Sequence, residues 1–259
     1  MPVRRLLLIS AVAAAFLVAP ASAQAPGVTV TLSPNTAGRS STLVLSADGQ
    51  ADQVNGRIPR SAVISVQRGF RVDPRARAAR CTSSQASSFS CPAASRIGTG
   101  QAIVTASGAF VPGGSQDFTA SIELFLGAAA QRGDVAGVVV VVREPTTGQR
   151  GTGTGRIVRL ASGPYGYELR FDRIPAQTPP PGVTIRLKRL DLRAGARRTV
   201  TVRRTVRRGG RRRTVRRRVT YSLITNPTSC DGSWNGHAAV GFTDGSSLEG
   251  DVTSPCTPR

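Results

Sequence analysis

The chain has 259 residues and a formal charge of +21, from 35 Lys or Arg against 14 Asp or Glu, with one histidine, one tryptophan and one methionine. It is long enough for one large β-sandwich or two small ones, and the core must rely on Val, Leu, Ile, Phe and Ala. A single histidine confines any Ser-His-Asp chemistry to His237, and the lack of a second long apolar run excludes a transmembrane helical anchor.

Met1 to Ala23 has the layout of a secretory signal: Arg4 and Arg5, an apolar run from Leu6 to Val18, Pro20, and Ala21-Ser22-Ala23 as a small-residue cleavage site. The mature chain is expected to start at Gln24, secreted or associated with the cell envelope. No cysteine follows the cleavage site to take a lipid. The paired arginines are ordinary in any such signal and do not by themselves specify a twin-arginine route.

Val28, Val30 and Leu32 alternate with Thr29 and Thr31 until Pro34-Asn35, the pattern of a half-buried strand and its turn. Leu43 and Leu45 continue it. The polar stretch from Asp48 to Gly56 has acids, but their spacing does not match the alternating oxygen ligands of a calcium loop, so no metal is expected there. Ala62, Ile64 and Val66 make the next strand, up to Gly69. Asp73 followed by Pro74 then predicts a capped short helix through Arg75 to Arg80. Cys81 to Gly100, rich in small residues, predicts a loop pinned by its cysteines, followed by a strand at Gln101 to Thr105.

Phe118, Ala120, Ile122, Leu124 and Leu126 sustain a period of two. Val138 to Val142 is a continuous β-branched run, expected to be a central strand buried on both faces. GTGTG at Gly151 to Gly155 precedes a strand through Ile157, Val158 and Leu160. With neither a lysine nor a helix after it, it reads as strand entry and not as a nucleotide loop. Tyr165, Tyr167, Leu169 and Phe171 alternate with Gly166, Glu168, Arg170 and Asp172, giving one apolar and one charged face. The proline-rich connector from Pro175 to Gly182 is taken as a loop within one domain spanning residues 24–259.

Val183, Ile185 and Leu187 lead to the most distinctive stretch. Arg197 to Arg218 contains twelve arginines and no acid. Without Arg4 and Arg5 the charge of the chain is +19, and without those twelve it is +7. Val200, Val202 and Val206 alternate with Thr199, Thr201 and Thr205, Val215 and Val219 pattern a second arm, and Gly209-Gly210 supplies a two-residue turn. The stretch 197–224 therefore predicts a protruding β-hairpin in which Thr205 faces Thr214, Arg203 faces Arg216 and Arg207 faces Arg212. Like charges directly opposed across a ladder are destabilising unless they are solvated or share an anion. Arg203, Arg204, Arg207, Arg208, Arg211, Arg212, Arg213, Arg216 and Arg217 are the expected anion-binding set. Their partner would be an anionic polysaccharide, an envelope polymer or another polyanion. No aromatic residue interleaves them before Tyr221, so base stacking is not provided for, and nucleic acid would bind only nonspecifically in vitro.

Beyond the hairpin, Ala239 to Phe242, a turn at Asp244-Gly245, and Leu248 to Val252 close the fold. Four cysteines in an exported chain read as disulfides rather than zinc ligands. Three connectivities are possible, and proximity favours Cys81 with Cys91 and Cys230 with Cys256. The many short strands predict an all-β fold, a β-sandwich of the immunoglobulin-like or jelly-roll kind with at most one short helix.

Two elements, CTSSQASSFSCPAASRIGTG and ITNPTSCDGSWNGHAAVGFTDGSSLEGDVTSPC, resemble uncharacterised secreted β-rich proteins of high-GC bacteria. There a cysteine pair runs into C-P-x-x-S-x-I-G, and an N-P-x-x-C…W segment ends in a partner cysteine. The resemblance implies an exported β-rich domain and the same two disulfides, and carries no catalytic residue onto this chain.

No catalytic constellation emerges. Ser233, Asp231 and Asp244 are near His237 only in sequence, and no nucleophile elbow is present. Glu168 and Asp172 lie four residues apart on one strand, roughly 13 Å, too far for a glycosidase pair. The expectation is a noncatalytic protein without cofactor. The competing readings are a β-rich carrier of a small apolar ligand and a hydrolase built on His237.

Overall fold

The computed structural model describes residues 27–48, 59–109, 111–146, 148–174, 182–208 and 211–259; the side chains at 206, 208, 211 and 213 lie outside the described set. The signal segment 1–23, the whole polar loop after Asp48, the proline run at 175–181 and the Gly209-Gly210 turn also fall outside the described residues. The strands are β1 Val28–Ser33, β2 Ser40–Asp48, β3 Pro59–Gln67, β4 Arg71–Val72, β5 Arg96–Gly108, β6 Ser115–Gly127, β7 Asp134–Arg143 and β8 Arg150–Arg159. They continue with β9 Tyr165–Arg173, β10 Val183–Ala194, β11 Arg197–Arg208, β12 Arg211–Ser222, β13 Ile224–Thr225, β14 Ser233–Phe242 and β15 Ser247–Pro255.

The fold is all-β. Among the described residues, one 13-stranded sheet runs in the order β15-β14-β3-β9-β8-β7-β6-β5-β10-β2-β13-β4, with β1 also paired to β2, and β11 and β12 form a separate two-stranded ribbon. Every strand ladder among the described residues is antiparallel; the isolated bridges Thr36 to Thr257 and Cys81 to Gly127 are parallel. The strands expected to divide between the sheets of a sandwich are instead linked by one hydrogen-bonded path, and burial comes from the way that sheet curls. Val30 and Leu45 near one end of it share an apolar cluster with Ala238 and Val252 at the other, with Ile64, Leu190 and Leu192 packed around them. Thr36 bridges Thr257 where the two ends meet, and the Ala37 N–H donates to the Thr257 carbonyl at 3.0 Å.

The period-two sequences explain which residues face inward. Ile122, Leu124 and Leu126 of β6 join Ile97, Ala136, Val138 and Leu223 in the largest cluster, against which Leu169 and Phe171 of β9 pack. The Val138–Val142 run is covered on both sides, as its lack of alternation predicts. Val138 faces that cluster, while Val139 and Val141 meet Phe125, Ala86 and Cys81 on the opposite face.

What covers that opposite face is a correction to the sequence reading. The helix expected over Arg75 to Arg80 does not form. Asp73 caps as anticipated, accepting the Arg75 N–H at 2.9 Å, but only a 3-10 turn, Pro74–Ala76, follows, and Arg77 is already extended. The chain must next reach the end of β6, where the Cys81 N–H donates to the Leu126 carbonyl at 2.8 Å. Arg80 donates to the carbonyls of Pro74, Arg77 and Ala79, replacing the hydrogen bonds that a helix would have made. The helix lies instead inside the cysteine loop, as α1 Ser83–Ser87, held by a Thr82/Gln85 capping box.

Both disulfides pair as proximity and the resemblance imply: Cys81 with Cys91 and Cys230 with Cys256. The GTGTG stretch lies within β8 rather than leading up to it. A Cβ on Gly155 would sit 2.6 Å from the Phe171 ring, so the glycine is the seat of that ring.

Candidate functional site

The hairpin forms because its residue types and its register agree. Threonine and valine favour extended backbone, and the arms end at Arg208 and resume at Arg211, leaving two residues for the link. The ladder pairs Thr205 with Thr214, Arg203 with Arg216 and Arg207 with Arg212, matching the sequence expectation, and adds Arg204 opposite Val215 and Val202 opposite Arg217. Arg208 opposes Arg211 and Val206 opposes Arg213. Twelve residues per arm reach roughly 40 Å.

The base is tied down. The Leu223 N–H donates to the Ala196 carbonyl at 2.8 Å, and the Leu223 carbonyl accepts from the Asp73 N–H at 3.0 Å, so the 3-10 turn and the ribbon root share one hydrogen-bonded chain. Arg197 donates to the Ser40 carbonyl, and the Ser40 hydroxyl donates to Ser222 at 2.7 Å. Arg75 lies 4.4 Å over the Tyr221 ring while holding Asp73 in a 2.8 Å ion pair. That hydrogen-bonded pairing keeps the Asp73 carboxyl below its ordinary range and the Arg75 guanidinium above its own.

Past that root the neutralisation stops. In the main sheet six cations have acid partners, Arg96 and Arg143 to Glu123, Arg156 to Asp134 and Asp172, Arg170 to Glu168, Lys188 to Asp117, and Arg189 to Asp191, while Arg60, Arg71, Arg150, Arg159, Arg173, Arg186 and Arg193 are in no ion pair among the described residues. Among the described residues, Arg203, Arg204, Arg207, Arg212, Arg216 and Arg217 are exposed, and no carboxylate reaches any of them. The ribbon is therefore a strip of positive charge that its own chain leaves open to solvent anions.

Two open clefts extend this surface. One, of about 500 Å³, is lined by Arg71, Val72, Asp73, Pro74, Arg75, Arg159 and Tyr167. The other, of about 230 Å³, includes Arg77, Arg96, Arg193 and the backbone at Gly98 and Gly195. Sequence reasoning missed the cleft arginines because they come from four separate stretches, 71–77, 96, 159 and 193, and no local pattern joins them.

No family model matches the chain. No curated protein or solved structure matches it either.

His237 has carboxylate neighbours, but not those nearest in sequence. Its Nδ1 lies 3.1 Å from Asp251 and its Nε2 3.8 Å from Glu249, both on β15, whereas Asp231 and Asp244 make no contact with it. Counting back through the Asp244-Gly245 turn would have found this, since it sets the register that opposes His237 to Asp251. Ser65 opposes His237 on the other side, yet its hydroxyl points to Glu168 at 3.4 Å. With both imidazole nitrogens facing carboxylates and the hydroxyl directed to a third, the row makes cross-strand polar pairs rather than an activated nucleophile. Glu168 in turn is held by Arg170.

Proposed function

We propose that this is a noncatalytic secreted or cell-envelope protein that binds anionic polymers or surfaces through the hairpin. The observation that carries the reading is the density of unmatched charge on the ribbon, where Arg203 opposes Arg216 and Arg207 opposes Arg212 with no carboxylate at any of the four among the described residues. A structure that places like charges across a ladder favours any anion that bridges them. The arginine-lined clefts at the root suit the same ligands better than an apolar cargo would.

Two disulfides fit an oxidising compartment. The Met1 to Ala23 segment and the resemblance to secreted β-rich proteins support export. We read the curled sheet as sandwich-like, with the ribbon projecting from it.

Heparin-column retention tests the binding. Changing Arg203, Arg204, Arg207, Arg212, Arg213 and Arg216 to Gln is expected to lower the elution salt markedly, because each lost cation reduces counterion release. Equal elution salt for the parent and the six-site variant would reject docking through the hairpin.

A further inference from the structure

The two faces of the ribbon carry the same charge chemistry but differ in what lies between the charges. Directly opposed residues in an antiparallel ladder share a face, and successive residues alternate between faces. One face therefore holds Thr199 with Thr220, Thr201 with Arg218, Arg203 with Arg216, Thr205 with Thr214 and Arg207 with Arg212. The other holds Arg198 with Tyr221, Val200 with Val219, Val202 with Arg217 and Arg204 with Val215. Valine and threonine have nearly the same shape. The faces thus differ mainly in exchanging methyl groups for hydroxyls around similarly placed guanidinium groups.

Past Tyr221, which lies under Arg75, the valine face joins no apolar cluster among the described residues. None of the four apolar clusters among the described residues includes Val200, Val202, Val215 or Val219; Val215 keeps 46% of its surface exposed and the other three are half-buried. A soluble polyanion would satisfy the arginines and give these methyl groups nothing. A second copy of the chain would cover the methyl groups but set arginine against arginine. A surface with phosphate at one depth and hydrocarbon just below it matches both groups at once.

We propose that the valine face docks on bilayers containing anionic phospholipid. Arg198, Arg204 and Arg217 hold headgroup phosphates, while Val200, Val202, Val215 and Val219 enter the boundary between headgroups and acyl chains. The threonine face, with Arg203, Arg207, Arg212 and Arg216, points away from the bilayer and stays open to soluble anions. This rests on the anion-binding reading of the hairpin and adds to it a face and a ligand class.

The mature chain is tested by co-sedimentation with vesicles of phosphatidylcholine alone and of phosphatidylcholine mixed with phosphatidylglycerol. Binding is expected only to the mixed vesicles. Changing Val200, Val202, Val215 and Val219 together to Thr keeps every charge and is expected to weaken that binding about tenfold, with heparin elution unchanged. A second pair needs no loss of binding: Val202→Trp is expected to give a blue-shifted emission on mixed vesicles and Thr201→Trp none, against the constant background of Trp234, which is 2% exposed. Unchanged sedimentation of the four-site variant, or equal shifts at the two tryptophan positions, would overturn the lipid proposal. Either result leaves the heparin behaviour of the arginine variant intact. Failure of the arginine variant to change heparin elution would instead remove the reading on which both depend.

Discussion

At the scale of single residues, close backbone approach decides more than side-chain chemistry. Gly98 and Gly100 sit where β5 meets β10, and a Cβ there would lie 2.2 Å from the Arg193 carbonyl oxygen and 2.3 Å from that of Asp191. Neither obstacle is the end of a side chain, so relief requires the strand itself to shift. Gly98→Ala is expected to cost at least about 1–3 kcal/mol, read as a lower urea midpoint with the slope unchanged. The sequence shows these glycines as I-G-T-G but not their reason, because the strand they approach is about ninety residues away. The N-P-x-x-C…W motif is similar. Asn226 is 2% exposed and donates to the Pro34 and Thr36 carbonyls at 3.1 and 2.9 Å, and Trp234 packs edge-on against Phe70 at 5.6 Å while donating to the Ser229 carbonyl. Its residues are recognisable as structural before their distant partners are known.

Among elements, the hairpin was the most legible and the helices the least, for the same reason. The register of β11 on β12 follows from one local turn and an alternation on either side of it, so opposed pairs can be counted from Gly209-Gly210. A helix after Asp73-Pro74 was equally reasonable from local signals, but Cys81 had to dock on Leu126, and that contact lies outside the local sequence. The capping box Thr82-x-x-Gln85 is the local signal for α1, which the loop reading of this small-residue stretch passed over. The 3-10 turn that remains acts as a latch under the ribbon, and its charge can be isolated. Asp73→Asn keeps a capping side chain and removes the solvent-screened ion pair with Arg75, so a small loss of stability is expected at neutral pH, read as a lower melting temperature. The folded-state carboxyl is lowered, chiefly by the side-chain hydrogen bond from Arg75. Its contribution is therefore complete above the ordinary carboxylate value and is lost as pH falls through the lowered one. Asp117 and Asp191 are lowered as well, by Lys188 and Thr105 and by Ser46 and Arg189, but they titrate alike in both proteins and cancel in the difference. The gap in melting temperature between parent and variant should close on acidification; a gap constant with pH would mean the ion pair adds nothing.

For the molecule as a whole, strand identities were readable and their arrangement was not. β3 pairs with both β9 and β14, and β10 joins β2 to β5, so neighbours in the sheet are drawn from opposite parts of the chain. Alternation assigns each strand an inner face without naming the strand beside it. The two disulfides act on this arrangement unequally. Cys81–Cys91 closes a separation of 10 residues and holds the α1 cover over β6 and β7, whereas Cys230–Cys256 closes 26 and fastens the β14–β15 pair, with both cysteines in the cluster around Trp234. Chain entropy alone makes the longer loop worth roughly 0.8 kcal/mol more, on a base of about 2–4 kcal/mol each. Replacing Cys230 and Cys256 together by Ala should accordingly lower the unfolding free energy more than replacing Cys81 and Cys91, as measured by urea denaturation of the oxidised proteins. Neither bond lies in the ribbon or among the contacts at its root. Both variants should then elute from heparin at the parent's salt concentration while still folded, which separates what holds the sheet together from what the arginines do.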